Sequence, residues 1–188
     1  MRVVEKQPLS KLCTLGMGGT ARALIDVERV ADFDLLSDEL AKYDAPVHVM
    51  GRGSNILADD GDLDLVILRM KIASEPRRVD NTQDADLISS ESDNVRGVVK
   101  VRAGLSLPAL LVYISKQGLS GLEGLTGIPG SVGGAVKMNA GSFGVEFLDR
   151  VSKICFWTPD KGEFWAPRDA WEYSYRSFDS KIDGLWMV

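Results

Sequence analysis

The sequence has 188 residues, 45% of them hydrophobic and 26% charged, with a formal net charge of -5. Such a composition suits one medium or two small packed globular domains and excludes a disordered or fibrous chain. A mildly acidic chain with no dense Lys/Arg run is not built to coat a nucleic-acid backbone, so no nucleic-acid partner is expected.

Met1 to Lys6 carry no apolar core of a secretory signal. The most apolar stretch, residues 105–114, contains Pro108 and is far too short to span a bilayer. The expectation is a cytoplasmic protein with no membrane partner. Cys13 and Cys155 lie far apart and form no CxxC pair, which reads as two reduced thiols. His48 is the single histidine and has no nearby Cys/His partner, which argues against a His-rich metal site and a Ser-His-Asp triad.

In chain order, Ala23 to Val27 looks like a strand. Phe33, Leu36, Leu40 and Tyr43 recur at helical spacing until Pro46 stops the pattern. Val47-His48-Val49-Met50 reads as a short strand running into a turn at Gly51, and Leu65 to Leu68 as a strand buried on both faces. Residues 74–96 are polar and aperiodic, and are expected to be an irregular linker. Val98 to Ala103 alternates as a strand. Leu107, Leu110, Leu111 and Ile114 predict a helix with Ser106 as N-cap, Pro108 in the first turn and Gly118 at the end. Val151, Ile154, Phe156 and Trp157 mark a further strand. Strands and helices in mixed order around a central linker predict an α+β protein of two subdomains.

Two loops stand out. Nine of the 19 glycines fall between Gly118 and Gly144, and the densest run is Gly127-Ile128-Pro129-Gly130-Ser131-Val132-Gly133-Gly134-Ala135. Glycine costs backbone entropy, but it admits unusual φ/ψ and lets a ligand approach the backbone closely. Exposed N–H groups there suit a phosphate or a planar ring. On glycine density alone, a set of tight turns serves equally well. The second loop, Gly51-Arg52-Gly53-Ser54-Asn55, follows a strand directly and has the makings of an anion cradle, with Arg52 as a fixed charge, although on these residues alone a plain strand-to-loop turn is the favoured reading. Gly16-Met17-Gly18-Gly19-Thr20-Ala21 fits a loose dinucleotide-fold string. A strand follows it where that motif requires a helix, so we read it as a decoy.

Four strings together resemble the UDP-N-acetylenolpyruvoylglucosamine reductase family. They are Thr14-Leu15-Gly16-Met17-Gly18-Gly19-Thr20-Ala21; Gly51-Arg52-Gly53-Ser54-Asn55-Ile56-Leu57; Gly121 through Ala135 running on to Met138-Asn139-Ala140-Gly141-Ser142-Phe143-Gly144; and Tyr173-Ser174-Tyr175-Arg176-Ser177. The resemblance implies a two-lobed α+β FAD-binding domain of the vanillyl-alcohol oxidase and p-cresol methylhydroxylase type. The implied domain division is 1–73 and 97–172 for the two FAD subdomains, 74–96 for the linker, and 173–188 for the start of a truncated substrate domain. It also implies FAD as cofactor, NADPH as reductant and a UDP-sugar enolpyruvate as substrate, in peptidoglycan precursor synthesis.

Carried onto this chain, Gly51, Arg52, Gly53, Ser54 and Asn55, with Gly127, Ile128, Pro129, Gly130, Ser131, Val132, Gly133 and Gly134, would hold the pyrophosphate and flank the flavin. Asn139, Ala140 and Gly141 would continue that wall, with Tyr175 beside it. Arg176 matches the arginine that stabilises charge building on the substrate carboxylate. Arg52 stands where the family more often has glycine, and Thr20 where it often has proline. The family's proton-donating serine and its assisting glutamate lie downstream of Val188, so the expectation is a fragment. Two alternatives stay open: a catalytically silent FAD-binding module, and another oxidoreductase of the same fold.

Overall fold

The computed structural model describes residues 1–72, 74–79, 97–181 and 186–187, the last two by backbone alone. The first lobe is a four-stranded sheet built from β1 (Arg2–Pro8), β2 (Thr20–Val27), β3 (Val47–Val49) and β4 (Asp62–Met70), with helix α1 (Phe33–Leu40) between β2 and β3. The strand order is β1-β2-β4-β3. β1 runs antiparallel to β2, and β4 runs parallel to both β2 and β3. Central strands of such a sheet are buried on both faces. Accordingly Val66 and Leu68 of β4 pack on α1 with Phe33 and Leu36, while Ile67 packs on the opposite side with Leu9, Cys13 and Met50. Ala21 and Ala23 share parity along β2 yet fall in opposite cores, because the pairing with β4 shifts register between them.

Asp26 lies wholly buried opposite Arg69 in the β2–β4 register. The guanidinium meets it side-on, Nε to Oδ1 at 2.7 Å and Nη2 to Oδ2 at 2.9 Å. Removing one partner would strand a buried charge, so the pair specifies this register.

The second lobe opens with the hairpin β5 (Arg77–Val79) and β6 (Val98–Lys100), followed by α2 (Leu107–Lys116) and α3 (Val132–Lys137). Two further hairpins are β7 (Gly141–Ser142) with β8 (Val145–Glu146), and β11 (Glu172–Ser174) with β12 (Ser177–Asp179). Between them, β9 (Lys153–Thr158) sits at the centre of a three-stranded sheet, flanked by β10 (Gly162–Pro167) and β13 (Trp186–Met187).

The mixed α and β organisation agrees with the sequence reading, with local differences. The helix ends at Leu40 and leaves Tyr43 as a partly buried cover on the first core. The expected strand over 98–103 stops at Lys100. Beyond it Arg102 O and Ala103 O leave the ladder to accept from Leu105 N–H and Gly133 N–H. Part of the expected linker, Arg77–Val79, is a strand anchored by buried Val79; the rest of that linker, from residue 80, lies outside the described residues. α2 has the expected ends: Ser106 Oγ accepts from Ala109 N–H, and Gly118 takes a positive φ of 65°. Tyr173 and Phe178, past the division expected at residue 173, pack into the second core. Both cysteines are free and buried.

Strand β9 joins the lobes. Ile154 and Phe156 enter the second core with Leu107, Leu125 and Trp171, whereas Cys155 and Trp157 enter the first. Trp157 stacks on Phe33 of α1 with ring centroids 5.9 Å apart. Alternation at period 2 makes one strand serve two cores. Trp157→Ala should therefore cost about 3–5 kcal/mol, read as a lower denaturation midpoint by tryptophan-independent circular dichroism. Burial, then the nearby Glu163 charge, pushes the Cys155 thiol up to about 11. Since the thiolate is the reactive form, iodoacetamide at pH 8 should alkylate Cys155 roughly 100-fold more slowly in the folded chain than in urea; equal rates would mean that the lobes part readily.

Candidate cofactor-binding site

The connection from β3 to β4 carries one predicted loop, and the approach to α3 carries the other. The fold brings them into contact. Ser54 Oγ donates to Pro129 O at 3.3 Å. A Cβ on Gly51 would land on Ser131 Oγ, and a Cβ on Gly130 would sit 3.2 Å from Ser54 Oγ. Gly130 also has φ +134°, which L side chains rarely adopt. From beneath, Thr14 N–H donates to Gly53 O at 2.9 Å, and a Cβ on Gly53 would collide with Leu12 O. The segment after β1 thus clamps the 51–55 loop, a role that the sequence did not disclose.

Among the described residues, no backbone N–H of Gly51, Arg52, Gly53, Ser54 or Asn55 finds an acceptor in the chain, nor do those of Gly130 and Ser131. Backbone donors must be satisfied by something, and converging N–H groups form an anion-binding concavity. Arg52 stands exposed beside them, with no ion pair among the described residues. This donor set fits a diphosphate.

The rest of the glycine run is used differently from the expectation of free N–H groups. Val132–Lys137 is a helix, and its first donors are committed internally: Val132 N–H to Leu105 O at 2.9 Å, Gly133 N–H to Ala103 O at 2.9 Å, and Gly134 N–H to the capping Ser131 Oγ at 3.2 Å. Gly133 lacks a side chain because a Cβ would press on Ala103 Cβ at 2.9 Å. Ile128, Val132 and Ala140 turn their side chains into the second core, and Gly127 and Pro129 are exposed.

At the far end of α3, about 9 Å along a six-residue helix, Asn139 and Gly141 meet the β11–β12 hairpin. Ser174 pairs with Ser177, so Tyr175 and Arg176 form a two-residue turn. Arg176 has φ 56°, and its Nη2 donates to Gly141 O at 3.1 Å. Its guanidinium carbon lies 5.5 Å from the centroid of the Tyr175 ring, which is 80% exposed. Phe143, 92% exposed, projects from the β7–β8 turn. Among the described residues, no group of His, Cys, Asp and Glu is placed to hold a metal, and no helix is long and apolar enough to cross a membrane.

Residues 21–165 match the family model described as "FAD binding domain". The chain belongs to the FAD binding domain family. FAD is accordingly its cofactor, and the donor-lined loops are its candidate seat. The resemblance read in the four strings is supported throughout. The chain is 40% identical over 180 residues to a UDP-N-acetylenolpyruvoylglucosamine reductase of Oleidesulfovibrio alaskensis, a match covering 96% of the chain and 57% of that protein. It is 38% identical over 188 residues to the reductase of the same name from Nitratidesulfovibrio vulgaris, covering 100% of the chain and 60% of the relative. Among solved structures, UDP-N-acetylenolpyruvylglucosamine reductase from Thermus caldophilus superposes with a TM-score of 0.70 at 31% identity, covering 99% of the chain and 59% of that structure. The chain thus spans somewhat over half the length of these relatives.

Gly51→Val should displace Ser131, uncap α3 and fill the cradle together. We expect FAD affinity to fall at least tenfold by equilibrium dialysis with the circular dichroism spectrum unchanged; wild-type affinity would remove this loop from the cofactor site.

Proposed function

We propose that this chain is the FAD-binding portion of a reductase that uses NADPH to convert the enolpyruvyl ether of UDP-N-acetylglucosamine to UDP-N-acetylmuramate in the cytoplasm, a step of peptidoglycan precursor synthesis. The carrying observation is the meeting of two glycine loops, where the N–H groups of residues 51–55 and of Gly130 and Ser131 have no acceptor among the described residues, linked through α3 to an exposed arginine. The relatives' names supply the substrate class. The two-lobed arrangement is that of the vanillyl-alcohol oxidase type, a finer assignment belonging to the same proposal.

The N–H groups of residues 51–55, with those of Gly130 and Ser131, hold the diphosphate of FAD. Glycines at 51 and 130 keep side chains out of that space. Bound there, FAD would supply the redox chemistry, as hydride acceptor toward NADPH and hydride donor toward the substrate. Arg176 acts on the substrate itself. Its guanidinium stays protonated and presents five N–H donors, of which the structure commits one, to Gly141 O. As the hydride adds to the vinyl carbon, negative charge grows toward the substrate carboxylate, and a fixed planar cation stabilises that growth. Tyr175, stacked on the same guanidinium, restricts its orientation.

The test begins with colour. FAD is added to the purified chain, the excess is removed and the visible spectrum recorded. A retained flavin spectrum is expected, and its absence would overturn the cofactor reading. NADPH should then bleach the flavin, and the UDP-sugar enolpyruvate should restore it. Bleaching without restoration by that substrate would favour a silent module. In the whole-length protein, Arg176→Ala should keep its flavin and lose about 10²–10³ in turnover; unimpaired turnover would take Arg176 out of the chemistry.

A further inference from the structure

Asn139 is read from the sequence as part of the cofactor wall, but its side chain is engaged elsewhere. It is 1% exposed and sits at φ 38°. Its Nδ2 donates to Ser174 O at 3.0 Å and to Glu146 Oε2 at 2.8 Å, and its Oδ1 accepts from Leu148 N–H at 3.2 Å. An amide has two N–H donors and one carbonyl oxygen, so both donors and the oxygen are in use within the protein. Asparagine tolerates the left-handed region better than other side-chain-bearing residues. It therefore turns the chain out of α3 while keeping its amide inside.

Ser174 is the residue just before the Tyr175-Arg176 turn. Arg176 itself occupies a left-handed conformation, φ 56°, that L side chains rarely adopt. Its own tether is a single exposed bond to Gly141 O, two residues after Asn139. A strained turn persists only where its surroundings over-determine it. Tyr173 and Phe178 anchor the two strands of the hairpin in the second core, and the Asn139 amide adds the buried bond nearest the turn itself, at Ser174 O.

We propose that Asn139 is a positioning residue for Arg176: by donating to Ser174 O it fixes the arginine-bearing hairpin to the C-terminal end of the cradle helix. The inference rests on the reading of Arg176 as the group that faces the substrate. It assigns to one buried amide the distance between cofactor cradle and substrate cation.

The test uses the purified full chain without flavin. Asn139→Gly preserves the backbone conformation and deletes the amide. We expect amide hydrogen exchange across Glu172–Ser174 and Ser177–Asp179 to rise at least tenfold, with α2 and β2 as in the parent. The Arg176 guanidinium Nε–H resonance should move to the position of free arginine. An unmoved Arg176 resonance, or exchange rising equally throughout the chain, would overturn the proposal in favour of a merely structural amide. Should that variant fail to fold, Asn139→Asp combined with Glu146→Gln carries the test. It keeps the acceptor for Leu148 N–H, restores a donor–acceptor contact between positions 139 and 146, and replaces the donor to Ser174 O with a carboxylate oxygen that repels it. The same loosening confined to the hairpin is expected, and a hairpin as protected as the parent's would overturn the proposal. Neither readout needs flavin, so a chain that fails to retain FAD would sink the functional reading and leave this result standing by itself.

Discussion

The alternation of β9 is the constraint on which the molecule depends. One strand sends Ile154 and Phe156 into the second core, and Cys155 and Trp157 into the first. A one-residue slip would exchange these pairs and spoil both cores together. Because the cradle is made of one loop from each lobe, its geometry inherits the precision of that strand. The Ser54–Pro129 contact in the cradle and the Trp157–Phe33 stack both join the two lobes.

Within the cradle, close approach does the selecting. Gly51, Gly53 and Gly130 are places where a Cβ would strike Ser131, Leu12 or Ser54. Glycine there is a packing requirement first, and the ligand space follows from it. The helix that follows contributes little free backbone polarity, since Leu105, Ala103 and Ser131 take its first three donors. Among the described residues, the uncommitted backbone donors therefore lie in the irregular backbone at residues 51–55 and 130–131, not at the start of the helix.

Much of this could be read in the sequence, and the misses have physical causes. α2 was visible because capping, proline placement and apolar spacing agree at one place, Ser106 to Gly118. The two loops were visible because glycine is costly and its density calls for an explanation. Helix α3 was hidden by the same signal: Gly133 and Gly134 argue against a helix on propensity, and the close approach of Ala103 overrides that preference. The clamp of Leu12 and Thr14 on Gly53, and the engagement of Asn139 with Ser174, are contacts between segments about 40 and 35 residues apart. No local pattern encodes such a meeting.

The position of β9 along the chain also sets an order of events in synthesis. Phe33 is made about 120 residues before Trp157, so the first core stays open on one side until β9 has been made. At about 5–20 residues per second, that interval is roughly 6–24 s. During it Ala23, Ile25 and Val27, central in the sheet and packed with Phe33 and Leu36 of α1, lack only the Cys155 and Trp157 part of their core. The strand that secures the mature fold is thus also the piece that completes the first core last.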